Sequence, residues 1–289
     1  MKINSKSSIF LAILAAALYA LSSPLSKILL SEIPSAVMAG LLYLGAGTGM
    51  LIVRIVQNHC SSQISEESLS VRDMPYTIGM VVLDIAAPLF LMAGLKRTTA
   101  ANVSLLNNFE IVATSLIALF IFREKITGRL WLAIALITFA SLLLSVEDAS
   151  SFYFSSGSVF VLIACICWGF ENNCTRMISK KDPLQIVIIK GFCSGTGSLI
   201  IALLVGEQFP GICYVVAAML LGFIAYGLSI FFYIYAQRSL GAAKTSAYYA
   251  VAPFIGTALS LIIFRETPSL SFIIALVIMI AGAFLASSD

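Results

Sequence analysis

Three carboxylates and one ammonium group stand inside stretches of this chain that are otherwise apolar, and its chemistry is expected there. Glu110 has Asn107 three residues before it, on much the same helical face, and Asn108 next to that. Such a carboxylate could take a proton or a substrate ammonium while the amides fix the rest of a bound molecule. Glu171 lies in Trp168-Gly169-Phe170-Glu171-Asn172-Asn173, with Thr175 one turn on. Three consecutive polar residues in such a setting must face protein or a water-filled cavity, not lipid. Trp168, Asn172 and Asn173 therefore join Glu171 as candidates for a binding surface. Asp84, with Pro88 one turn later, is a third candidate for a proton or cation site. Lys190 could hold a substrate carboxylate, and the hydroxyls of Tyr248 and Tyr249 could line a cavity for a small amphipathic molecule.

Each group also has a plainer use. Glu110 with its amides could be a hydrogen-bonded cluster joining helices, and Glu171 could pair with Lys190. Asp84 could cap backbone groups freed by Pro88. Lys190 lies only about a turn and a half into its stretch, so its chain could snorkel to the surface. The tyrosines could pack in a helix interface.

The elements that hold these groups follow from composition. The chain has 289 residues, 60% hydrophobic and 11% charged, with mean hydropathy +1.02. A soluble fold could not hide that much apolar surface. Soluble enzymes, nucleic-acid-binding domains and disordered chains are excluded, and a net charge of +3 gives no reason to expect a nucleic-acid partner. A bilayer core about 30 Å thick takes about 20 apolar residues per helix. Ten stretches qualify: 8–30, 35–56, 74–95, 99–121, 129–146, 156–178, 185–205, 212–236, 243–264 and 269–286. They are called segments 1 to 10 below. The first follows Lys2 and Lys6 but is too long for a secretory leader. With the N-terminus inside, only Lys27, Lys96, Arg97 and Arg265 of the seventeen cations fall outside. That asymmetry places both termini in the cytoplasm.

The six cysteines form neither a disulfide framework nor a zinc pattern, and four lie in apolar runs, where buried free thiols are expected. The only histidine, His59, is expected in a polar loop, and no metal or cofactor site is expected. There is no phosphate-cradling GxxxxGK[ST] motif, so ATP hydrolysis is not the drive unless a partner supplies it.

The chain resembles itself. Phe122-Arg123-Glu124 and Phe264-Arg265-Glu266 close segments 4 and 9 at an offset of 142 residues, where Ala100-Ala101 also meets Ala242-Ala243 and Ser104 meets Ser246. At an offset of 149, Tyr19-Ala20, Lys27 and Pro34 meet Trp168-Gly169, Arg176 and Pro183. Ser22, Ser23 and Pro24 then meet Glu171, Asn172 and Asn173, so the apolar pattern breaks at the same place in segments 1 and 6. The expected fold is an all-α membrane protein of ten transmembrane helices, arranged as two inverted five-helix repeats, 1–150 and 151–289. Gly45-Ala-Gly-Thr-Gly49 and Gly191-Phe-Cys-Ser-Gly195 fall in corresponding segments 2 and 7. Close packing within the chain is the expected use of these small-residue faces, with a homodimer face the alternative. Arg123-Glu124 and Arg265-Glu266 are expected to form ion pairs at helix ends.

These features resemble the EamA-type branch of the drug/metabolite transporter superfamily. The resemblance rests on GAAKTSAYYAVAPFIGTALSLIIFRE (241–266) with the apolar run ending IAGAFLAS, on TTAANVSLLNNFEIVATSLIALFIFRE (98–124), and on Trp168-Gly169-Phe170. Segment 1 has Tyr19-Ala20 where Trp-Gly is usual. The resemblance covers nearly the whole chain and implies a membrane transporter of small metabolites, with no catalytic motif to carry over. The reading that follows is a secondary exporter of an amino acid or similar zwitterion in a prokaryotic plasma membrane. Glu110, Glu171 and Asp84 would couple it to protons, and Asn107, Asn108, Trp168, Asn172, Asn173, Tyr248, Tyr249 and Lys190 would contact substrate. The alternatives are an exchanger or facilitator of phosphorylated sugars, which would want more cations facing the cavity, a non-transporting scaffold, and a membrane enzyme, for which no dyad is visible.

Overall fold

Backbone N–H and C=O groups find no water in a bilayer core, so apolar stretches of this length must satisfy them within helices. The computed structural model describes residues 5–60, 67–121, 123, 127–148, 153–240 and 248–287. Segment 1 is Ser5–Ala20 and Ser22–Leu29, segment 2 is Ser35–Cys60, and segment 3 is Met74–Arg97. Segment 4 is Ala100–Leu106 and Phe109–Phe120, segment 5 is Gly128–Ser145, and segment 6 is Ser156–Ile178. Segment 7 is Pro183–Ile189, a π-turn over Lys190–Ser194, and Gly195–Leu204. Segment 8 is Ile212–Gly222, a π-turn over Phe223–Leu228, and Ser229–Leu240. Segments 9 and 10 are Ala252–Phe264 and Leu270–Ser287. Eight of these are long and apolar enough to cross a membrane, and the last two are shorter apolar helices. The protein is an all-α integral membrane protein.

The structure differs from the sequence reading in several places. Segment 6 runs unbroken through Glu171-Asn172-Asn173. Segment 1 does break, at Leu21 beside Ser22, but the matched interruptions are at Asn107-Asn108 in segment 4 and at Ala250-Val251 in segment 9, which nearly coincide at the 142-residue offset. The stretch after segment 5 pairs as a short ribbon, Val146–Asp148 with Tyr153–Phe154. His59 sits in the last turn of a helix, its Nδ1 2.8 Å from Ile55 O. Of the cysteines, Cys165 is buried, Cys167 and Cys174 are half-buried, and Cys193 and Cys213 are exposed; the side chain of Cys60 lies outside the described residues. Phe122, Glu124 and 241–247, which carry part of the repeat, also lie outside them, and so does the Arg123-Glu124 pair. Arg265 makes no ion pair with Glu266; it is the left-handed C-cap of its helix (φ 52°), and Arg123 takes the same conformation (φ 56°).

Segment 3 packs on segment 6 and segment 1 on segment 8; segment 4 packs on 6 and segment 1 on 9; segment 2 packs on 8 and segment 3 on 7. Each of these pairs turns into the other when the first five segments are exchanged with the last five. The contacts 2 with 7, 4 with 9 and 5 with 10 turn into themselves. The core gathers around Met38, Leu42, Tyr43, Leu91, Trp168 and Tyr226. Phe10, Ile52, Val82, Ile262 and Phe284 stand on the outer face, as lipid-facing side chains do.

Segment 2 is the hub, because its glycines let backbones meet. A Cβ at Gly195 would lie 2.7 Å from Leu44 N, and one at Gly47 would lie 2.9 Å from Phe192 N. The two glycine stripes therefore face each other inside the molecule, as expected for close packing within one chain.

The ends of the bundle are tied by polar contacts. At one end Arg54 Nη1 meets Asp182 Oδ2 at 2.6 Å, Gln185 Oε1 accepts from Leu69 N at 2.9 Å, and Lys181 pairs with Glu67. That hydrogen bond raises the Lys181 pKa above its ordinary value. At the other end Lys27 Nζ donates to Thr98 O at 2.7 Å. There Glu207 Oε2 accepts from Ala36 N and Val37 N, both at 2.9 Å, so a distant carboxylate caps the start of segment 2. Glu207→Ala is expected to lower stability by about 1 kcal/mol, the usual worth of a lost cap. A melt of purified protein in detergent measures it, and unchanged melting would show that solvent replaces the cap without loss.

Candidate functional site

Lys190 opens the π-turn of segment 7, and the bulge presents it to two carboxylates from other helices. Its Nζ lies 2.7 Å from Glu171 Oε1 in segment 6 and 3.2 Å from Asp84 Oδ2 in segment 3. All three are buried, at 4%, 3% and 1% exposure. Tyr43 OH of segment 2 donates to Asp84 Oδ1 at 2.8 Å, and Thr175 Oγ1 donates to Glu171. Four segments thus meet at one ionic cluster. The snorkelling reading of Lys190 does not hold, and neither does backbone capping by Asp84, whose oxygens face Tyr43 and Lys190. A lone charge buried this deeply would be costly, and mutual pairing is what makes the group tolerable.

Glu110 forms a second group at the contact of segments 4 and 6. Asn172 Nδ2 donates to Glu110 Oε1 at 2.6 Å and to Thr114 Oγ1 at 3.4 Å. Asn173 Nδ2 donates to Gly169 O at 2.8 Å and Thr114 O at 3.2 Å. Gly169 makes this approach feasible, since a Cβ there would lie 2.8 Å from Thr114 N. Glu110 and Asn172 are half-buried, unlike the Lys190 cluster.

A tyrosine cluster continues from Tyr43. Its ring lies 5.3 Å from that of Tyr226, which lies 5.9 Å from Tyr19; Tyr19 lies 5.9 Å from Tyr249, and Tyr249 lies 4.9 Å from Tyr233. Ser22 Oγ donates to Tyr226 OH at 3.0 Å. Beside Tyr19, between segments 1, 4 and 9, is a small cavity with room for roughly one water, which Asn107 and Ser104 line.

Most of the expected residues meet here. Asp84, Glu171 and Lys190 form one cluster, Glu110, Asn172 and Asn173 another, and Tyr249 belongs to the tyrosine group. Trp168 is buried in the core beside Tyr43 and Tyr226. Asn107 lines the cavity, whereas Asn108 turns to segment 10, with Nδ2 2.9 Å from Leu105 O and 3.9 Å from Met279 Sδ. Tyr248 is half-buried and makes no ring contact among the described residues. Sequence reasoning missed Tyr43, Tyr226 and Tyr19 as site residues. A tyrosine in an apolar helix signals only an amphipathic ring, so the spacing gave nothing to find them by.

The chain matches the EamA-like transporter family over residues 6–146 and again over 155–288. It is 26% identical over 295 aligned positions to an uncharacterized transporter of Methanothermobacter thermautotrophicus (strain ATCC 29096 / DSM 1053 / JCM 10044 / NBRC 100330 / Delta H), covering 94% of this chain and 84% of that protein. A solved structure described only as the crystal structure of a protein superposes with a TM-score of 0.66 at 17% identity, covering 97% of this chain and 96% of the other.

Proposed function

The chain belongs to the EamA-like transporter family, and from that premise we propose that it is a proton-coupled secondary exporter of small metabolites such as amino acids. That it is a membrane transporter and not an enzyme follows from the family and from its transporter relative. The finer reading places halves 1–150 and 151–289 in the plasma membrane in opposite orientations, both termini cytoplasmic, with substrate held between them and exposed to each side in turn. The contact pattern, which maps onto itself when the halves are exchanged, supports that arrangement.

One observation carries the coupling. Two of the three acids bridge the halves: Glu110 and Asp84, from the first, meet Asn172 and Lys190 of the second, while Glu171, of the second, shares Lys190 with Asp84. A proton on Glu110 weakens the charge-assisted bond from Asn172 across the halves, and a proton on Glu171 loosens one hold on Lys190, which also pairs with Asp84 of the first half. Protonation from outside would loosen the contact and displace substrate; deprotonation inside would restore both. The phosphorylated-sugar reading is less favoured, because Lys190, the cation it would draw on, already has two carboxylates.

Proteoliposomes with an imposed pH gradient test this. Wild type should move labelled amino acids against their gradient. Glu110→Gln with Glu171→Gln should lose gradient-driven accumulation, by at least about tenfold if one charge-assisted contact of about 1.5–3 kcal/mol is lost, yet keep exchange at equal pH. Intact accumulation in the double variant would sink the coupling assignment.

A further inference from the structure

The cavity between segments 1, 4 and 9 has a filled counterpart. The two repeat offsets carry Ser23 to Asn172, and carry Glu110 and Thr114 to Ala252 and Gly256. The packing obeys the same correspondence. A Cβ at Gly169 would lie 2.8 Å from Thr114 N, and one at Gly256, the equivalent of Thr114, would lie 3.1 Å from the O of Ala20, the equivalent of Gly169. At the contact of segments 4 and 6, Asn172, Glu110 and Thr114 fill the space with a hydrogen-bonded group. At the contact of segments 1 and 9 the corresponding residues are Ser23, Ala252 and Gly256. Their smaller side chains leave the void, and all three line it.

The void is polar. Asn107 and Ser104, only 7% and 2% exposed, line it, and their Oδ1 and Oγ atoms have no hydrogen-bond partner among the described residues. Buried acceptors are rarely left unpaired, because each lost hydrogen bond is uncompensated. Tyr19 also lines the void.

We propose that this void receives a primary ammonium group, the amino head of the transported molecule. The inference rests on the transport reading and adds to it the place where the substrate's amine docks. An ammonium head is about the size of the water the void admits, and its N–H groups match the two waiting oxygens. The aromatic ring of Tyr19 in the lining favours positive charge over negative. A quaternary ammonium has no N–H to give.

The test is a melting-temperature titration of purified protein in detergent with methylammonium, ammonium, tetramethylammonium and alanine at constant ionic strength. Methylammonium and alanine should each raise the melting temperature with concentration, alanine at the lower concentration, and tetramethylammonium should not. Asn107→Leu should weaken the response about 10–100-fold, the worth of a hydrogen bond to a charged group. Ser23→Asn, which places the counterpart's own side chain in the void, should abolish the response in a protein that folds, and it decides the matter if Asn107→Leu does not fold. The proposal is overturned if no primary amine shifts the melt, if tetramethylammonium works as well, if ammonium alone works, or if folded Ser23→Asn still responds. Gradient-driven flux without any amine response would remove this proposal and leave the transport reading standing. An amine response without flux would do the reverse.

Discussion

Replacing Lys190 by methionine is expected to destabilise the protein by about 3–5 kcal/mol, the usual effect of removing one partner from a buried ion pair. The size comes from what remains. Asp84 and Glu171 are 1% and 3% exposed, and their shared cation sits 3.2 and 2.7 Å away. Methionine matches the lysine stem in length and fills its path, so the loss is electrostatic and not a cavity effect. Tyr43 and Thr175 still donate one hydrogen bond to each acid, which tempers the loss without balancing the charge. Neutralising both acids in the same protein, as Asp84→Asn with Glu171→Gln and Lys190→Met, should recover most of the stability and none of the coupled transport. A thermal melt in detergent reads the first part and proteoliposome flux the second. If the single variant melts with the wild type, the cluster is not the charge-balanced unit its geometry implies. If the triple variant is no more stable than the single one, the loss came from packing.

Gly45→Leu and Gly222→Leu should each prevent assembly of the bundle. A Cβ at Gly45 would run into the Met219 carbonyl, and a Cβ at Gly222 would run into the Leu42 carbonyl, so the two glycines guard one backbone-to-backbone crossing of segments 2 and 8 from opposite sides. Neither carbonyl can swing aside as a flexible side chain can, so the helices must part, taking with them the packing around Leu42 and Tyr226. Overpacking costs about 1–3 kcal/mol where side chains can yield; here backbone must move, and more than about 4 kcal/mol is expected. Gly128→Ala is the control, since nothing lies within 4 Å of its would-be Cβ. Size-exclusion profiles of detergent extracts compare the three. A monodisperse, normally melting Gly45→Leu protein would mean that segments 2 and 8 do not cross so closely.

The ten segments and the polar exceptions within them were legible because lipid punishes both errors strongly: too short a helix and a charge without a partner. The glycine pairs were legible for a related reason, since only close backbones give small residues a use at matching places. Lys190 shows the limit. Its position near a segment end fits snorkelling as well as burial, and only the fold brings Asp84 across from another helix. The interruption expected in segment 6 was misplaced because polar residues alone do not break a helix. Asn172 and Asn173 keep their backbone helical and spend their amides on segment 4, whereas at Asn108 the side chain competes for the Leu105 carbonyl and the chain turns. The tyrosine chain from Tyr43 to Tyr249 spans four segments, and no local pattern encodes a contact of that kind.

Segments 7 and 8 each carry a π-turn, and segment 2 lies against both, with Gly47 at Phe192 and Gly49 at Phe223. A π-turn is one residue of slack held in an otherwise taut helix. Passing that slack along the helix turns the stretch it crosses by about 100° and advances it about 1.5 Å, one hydrogen bond at a time and without unwinding. Lys190 stands at the edge of one such reserve, so any shift of that slack would act directly on its contacts with Asp84 and Glu171. Gly47 and Gly49 of segment 2 lie against both π-turns, so a shift there would be felt along segment 2.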